Sequence, residues 1–156
     1  MSAIQTDSEQ LRARVDALAD KDAIRALLIR CFREFEAKRS DDEWLRSIFS
    51  EDVRVEFPAG THEGLAGLGD LHRRIEALWD RTLHLLSDHA IELQRDRASV
   101  SAVLHATHVH HADSPGAHLH IGGHVDAEAV RSPDGWRLAQ LAIRLVWTEG
   151  DPPARR

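Results

Sequence analysis

Apolar residues along the first quarter of the chain recur every three or four positions: Leu11, Val15, Leu18, Ile24, Leu28, Cys31, Phe32 and Phe35. Side chains at that spacing share one face, so an amphipathic helix is expected from Asp7 to about Lys38. Asp7 with Gln10 resembles a capping pair, and Asp20 or Asp22 is a place where the helix could restart after a kink. Ser40-Asp-Asp-Glu43 is a better capping box and predicts a short second helix turning Trp44, Leu45, Ile48 and Phe49 inward. Val53, Val55 and Phe57 alternate with Arg54 and Glu56, the period of a short strand, which Pro58-Ala-Gly60 ends. A third helix is expected from Leu65 to Asp80, burying Leu68, Leu71, Ile75, Leu78 and Trp79.

After Arg81 the period falls from about 3.6 to 2 and stays there nearly to the end. Strands are expected near 82–94, 96–111, 117–131 and 135–149. The connections Gln94–Arg97, Ala112–Gly116 and Ser132–Gly135 are rich in turn-forming residues and favour antiparallel hairpins. Three helices followed by a four-strand meander make an α+β pattern, with helices on one face of a mostly antiparallel sheet. A single domain over residues 1–150 is expected, with Asp151–Arg156 as a flexible polar tail.

Composition narrows the classes. At 156 residues, 42% hydrophobic and 29% charged, the chain suits one core. Twenty Lys and Arg against 26 Asp and Glu give a net charge of −6, which disfavours nucleic acid as a partner. The apolar run Ala26–Ile29 is far shorter than the ~20 residues that span a bilayer, so no membrane association is expected. The first residues lack a basic start and an apolar stretch, which makes the cytoplasm the expected location. One cysteine, Cys31, permits no internal disulfide and no cysteine metal cage within one chain. Eleven histidines and no tyrosine are the features that need an explanation.

Glu36 ends the ridge Ile24, Leu28, Phe32, each four residues from the last, so it either points into water or stands at the rim of a pocket. One face of the strand near 96–111 reads Ala98, Val100, Ala102, Leu104, Ala106, His108, His110. Its alanines leave space for neighbouring side chains or for a ligand. His84 begins the preceding strand, with Leu86 and Ala90 on its own face, as either a hydrogen-bonded structural residue or a catalyst. The remaining histidines suggest metal, but alternation divides them: His105 and His111 oppose His108 and His110, and His118 and His120 lie on the polar face of the next strand. Gly122-Gly123 could host a bulge, which leaves the direction of His124 open. No metal site is therefore expected. Neither a GxGxxG fingerprint after a strand nor a GxSxG elbow occurs.

The strings Lys21–Leu28, Phe49–Phe57, Arg81–His84, Asp134–Leu138 and Arg144–Trp147, in this order and spacing, resemble the SnoaL-like branch of the nuclear transport factor 2-like superfamily, nearest its scytalone dehydratase and bile acid 7α-dehydratase members. The resemblance spans roughly Ala19 to Gly150. It implies a conical α+β barrel, in which a curved sheet wraps the long helix around an apolar pocket, and a homodimer or homotrimer. It also implies catalytic roles for His84, His108 and Glu36, the last where aspartate is usual, with Glu36 orienting His108. Phe35 and Phe57 stand where scytalone dehydratase carries tyrosines, and the asparagine of that pocket falls near Gly123 or His124, so scytalone itself is not the expected substrate. Phe32, Phe35, Phe57, Trp79, Leu104, His124 and Trp147 are the candidates for contact with a substrate. The expected activity is cofactor-independent dehydration or isomerisation of a hydrophobic cyclic or polyketide-like molecule. The alternatives are a cyclase or ketosteroid-isomerase-like enzyme and a non-catalytic pocket protein.

Overall fold

A computed structural model describes residues 3–58, 60–113 and 116–153. Ala59 of the turn after the first strand, Ser114 and Pro115 of the Ala112–Gly116 turn, and 154–156 of the tail lie outside the described residues. Those described form three helices, α1 (Ala3–Glu36), α2 (Asp42–Ile48) and α3 (Leu68–Glu76), and six strands. The strands are β1 (Phe49–Phe57), β2 (Gly60–Glu63), β3 (Arg81–Gln94), β4 (Arg97–Val109), β5 (Leu119–Ser132) and β6 (Gly135–Glu149). They lie in the order β2-β1-β6-β5-β4-β3 in one curved, unclosed sheet. All pairs are antiparallel except β1 with β6. No helix among the described residues is long and apolar enough to cross a membrane.

The four expected strands become β3 to β6. The sheet is wider than a four-strand meander because β1 starts at Phe49, pairs parallel with β6 and adds the short β2 on its outer edge. α1 runs as one unbroken helix through Asp20 and Asp22 and does not restart there. Instead the Asp20 carboxylate accepts two bonds from the Arg131 guanidinium, at 3.0 and 2.6 Å, and one from Trp136 Nε1 at 2.9 Å. The apolar stripe of α1 divides at this point. Ile24, Leu27, Leu28, Cys31, Phe32 and Phe35 are buried, whereas Leu11, Val15 and Leu18 are 60%, 54% and 67% exposed.

Asp41, not Ser40, caps α2, its carboxylate accepting from Trp44 N at 2.9 Å. The Ser40 hydroxyl accepts from Arg73 Nη1 at 3.0 Å and so ties α3 to the α1–α2 linker. α3 is shorter than the periodicity suggests and buries Leu68, Gly69, His72 and Glu76, while Leu78 is exposed. In β3, Asp88 adopts φ 51° and the register shifts between Ser87 and Ala90. Ala90 is thereby turned out and Ile91 in, so Ala90 does not share the inward face of His84 and Leu86. The alanines of β4, Ala98, Ala102 and Ala106, are buried within the core that α1 completes.

Candidate active site

A cavity of about 320 Å³ opens at the end of the core, where α1 stops, α3 crosses and β3 begins. Phe32, Phe35, Phe57, Trp79 and Leu104 line it, as do His72, Glu76, His84 and His108. Size and largely apolar walls suit a small hydrophobic ligand. The alanines of β4 do not line it; the space on that strand opens beyond Leu104.

α1 ends in a turn that fixes this geometry. Lys38 takes a left-handed φ of 57°, Lys38 N donates to Phe35 O at 2.9 Å and Arg39 N to Glu34 O at 3.0 Å, a Schellman closure with lysine where glycine is usual. Lys38 Nζ then donates to Trp79 O at 3.1 Å, which holds the segment after α3 against the helix end. Glu36 occupies the last turn of α1, where the negative pole of the helix disfavours a carboxylate. His84 compensates: its backbone N–H, on edge strand β3, donates to Glu36 Oε1 at 2.5 Å, and its Nδ1 stands 3.3 Å from the same oxygen. Glu36 therefore backs His84, not His108, because β3 passes the helix end and β4 lies one strand further in.

His84 packs on Phe32 with ring centres 5.3 Å apart, and His108 meets it edge-on at 5.7 Å. Trp79 covers His108 at 4.9 Å. Burial holds His84 below the ordinary imidazole pKa, against the opposing pull of the Glu36 carboxylate. Burial, with the neighbouring His84, lowers His108 to about 4. Both rings are thus neutral bases at neutral pH. Nδ1 of each has no hydrogen-bond partner among the described residues.

Two residues sequence reasoning missed complete the site. His72 and Glu76 lie on the inner face of α3, with His72 Nε2 3.4 Å from Glu76 Oε1 and its ring 4.2 Å from that of Phe35. Leu68, His72 and Glu76 are spaced by four, the ridge pattern that singled out Glu36. With only one apolar member that ridge was outweighed by Leu71, Ile75 and Leu78.

His124 and Trp147 stay outside the cavity. Ile121, Gly123 and Val125 keep one alternation on β5, since the extra residue of the bulge, Val146, sits on β6. His124 consequently faces solvent opposite Val103 and Arg144. Trp147 covers Gly122 on the outer face, where a Cβ would come within 2.2 Å of the indole, and meets His105 at 5.9 Å. His120 is also exposed and bonds Thr107 Oγ1 at 3.1 Å. His110 is buried and structural, its Nε2 donating to Asp151 O at 3.0 Å. Asp151 in turn accepts from Ala117 N at 2.8 Å, and Pro153 lines the cavity. Among the described residues no three His, Cys, Asp or Glu side chains converge as a metal site would require.

An open mixed sheet curved about one long helix, with an apolar cavity at its end, is an α+β fold shared with a nuclear transport factor 2-like protein of known structure. The chain belongs to the SnoaL-like domain family, whose sequence profile matches residues 16–142. Solved structures share the fold. A Novosphingobium aromaticivorans protein provisionally named a scytalone dehydratase is 20% identical, with TM-score 0.72 over 92% of this chain and 90% of its own. The hexachlorocyclohexane dehydrochlorinase LinA-type3 from Novosphingobium barchaimii is 18% identical, with TM-score 0.77 over 92% and 97%. A nuclear transport factor 2-like superfamily protein from Salmonella enterica is 16% identical, with TM-score 0.72 over 83% and 92%. No curated protein matches the sequence.

Proposed function

We propose that this cavity carries out a cofactor-independent elimination, the loss of water from a hydrophobic cyclic or polyketide-like molecule, or the related double-bond shift. The carrying observation is the pair of neutral imidazoles facing one apolar cavity, one of them backed by a carboxylate. His84 takes the proton from a carbon next to an activating group, the C–H electrons form the new double bond, and the C–O bond breaks. The departing oxygen, held by the N–H of His108, receives that proton from His84 and leaves as water, so both rings return to their neutral state. Glu36 stabilises the imidazolium that exists between the two transfers. Two fold neighbours carry names for eliminations, a dehydratase and a dehydrochlorinase, which supports the same class of chemistry here.

A panel of cyclic β-hydroxy ketones, followed by absorbance of the conjugated product, tests this. Turnover that falls at least ~100-fold in His84→Ala and in His108→Ala is expected. Wild-type turnover retained in either variant, or no turnover with any member that binds, would contradict it. The same reading has the chain associate as a homodimer or homotrimer, supported by exposed Leu83, Leu85, Val146 and Trp147 on the outer sheet face.

A further inference from the structure

The elimination just described employs Glu36, His84 and His108 and leaves idle the other polar pair of the cavity, His72 and Glu76. They are 3% and 7% exposed, one helical turn apart on α3. Their closest approach, 3.4 Å between His72 Nε2 and Glu76 Oε1, is not aligned as a hydrogen bond. Glu76 Oε2 and both His72 nitrogens have no hydrogen-bond partner among the described residues. Polar atoms removed from water without a partner destabilise a fold, and native proteins satisfy nearly all of them. Leu68, one step back on the same ridge, shows that the core accepts an apolar side chain here. The pair has a surface to act on, since both residues line the cavity shared with His84 and His108.

The complementary chemistry can be read from the pair itself. A carboxylate oxygen needs a donor, and an imidazole beside it offers a second, opposite bond if its tautomer allows. A hydroxyl satisfies both, donating to Glu76 Oε2 and accepting from a His72 N–H. An ammonium could donate to the carboxylate and to the bare imidazole nitrogen, but it would have to be desolvated within walls of Phe35, Phe57 and Ile75, which costs far more than for a neutral hydroxyl. We propose that His72 and Glu76 form a hydroxyl-recognition subsite that fixes one end of a hydrophobic ligand whose other end lies against His84 and His108. All four side chains line the same cavity of about 320 Å³, so one ring-sized molecule reaches both ends. The substrate class is narrowed accordingly, to an apolar ring skeleton bearing a hydroxyl that is not the leaving group. This inference rests on the cavity being the ligand site but needs no turnover.

Calorimetric titration of the full-length protein with 5-indanol and with indane, which differ by the one hydroxyl, tests the subsite. The wild type is expected to bind 5-indanol about tenfold more tightly, and Glu76→Leu to bring 5-indanol to the level of indane while indane itself gains or keeps its affinity. His108→Leu should keep the preference. Glu76→Gln, which preserves shape, should reduce the preference several-fold and serves if Glu76→Leu does not fold. Equal affinity of the wild type for the two probes, binding of neither, a preference that survives both Glu76 substitutions, or one that disappears in His108→Leu would overturn the proposal. A preserved preference for 5-indanol alongside no elimination of any β-hydroxy ketone would remove the proposed reaction and leave the subsite standing.

Discussion

Glu36, which backs His84, and Glu76, which lines the cavity, are placed by the same arithmetic, each closing a row of side chains four residues apart on its helix. The first row was legible because Ile24, Leu28 and Phe32 are apolar and make the carboxylate stand out. The second was not, because Leu68 alone precedes two polar residues. The resemblance implies that Glu36 orients His108, whereas the geometry sets Glu36 against His84, since which strand passes a helix end depends on packing. If Glu36 acts through His84, Glu36→Gln should lower kcat by about 100-fold with little change in KM, measured on any substrate the panel identifies. The neutral imidazoles also have a signature in stability. Their folded pKa values lie below the unfolded value of about 6.5, so the unfolded chain binds more protons as pH falls, and stability is lost from pH 6.5 towards 4. Urea unfolding at pH 7 and pH 5 should show this loss, and His108→Gln should diminish it.

At the scale of elements, period alone placed α1, the strands β3 to β6 and the helix-then-sheet order. It could not divide α1 into a packed half and an exposed half, because Leu11, Val15 and Leu18 have the same spacing as the residues below them while, of its apolar residues, only those from Ile24 to Phe35 are buried in the core. Leu28→Ala should therefore cost about 2–5 kcal/mol in chemical denaturation, and Leu11→Ala less than about 0.5 kcal/mol. β2 and the parallel pairing of β1 with β6 were also hidden. That partnership joins residues 86 to 89 positions apart and is decided by the folded core, not by local pattern. The one-residue slip from Ser40 to Asp41 at the cap of α2 is of the same kind, since Arg73 engages Ser40. Asp41→Ala should cost about 1 kcal/mol, with Ser40→Ala leaving the α2 cap intact.

For the whole molecule, the sheet has two working faces. The inner face, with α1 and α3, encloses the cavity, and the outer face presents Leu83, Leu85, Val146 and Trp147 to solvent. Sedimentation should find an oligomer in the wild type and a monomer in a Leu85→Glu, Trp147→Glu double variant; a monomeric wild type would contradict the proposed association. The central claim concerns the inner face, where burial keeps two facing imidazoles uncharged beside one carboxylate. Nitrogen-15 resonance of the histidine rings, followed through an acid titration, measures this without knowledge of the substrate. His84 and His108 should remain neutral below the ordinary imidazole range, His108 protonating near pH 4. Protonation of either ring at or above pH 6.5 would contradict the account.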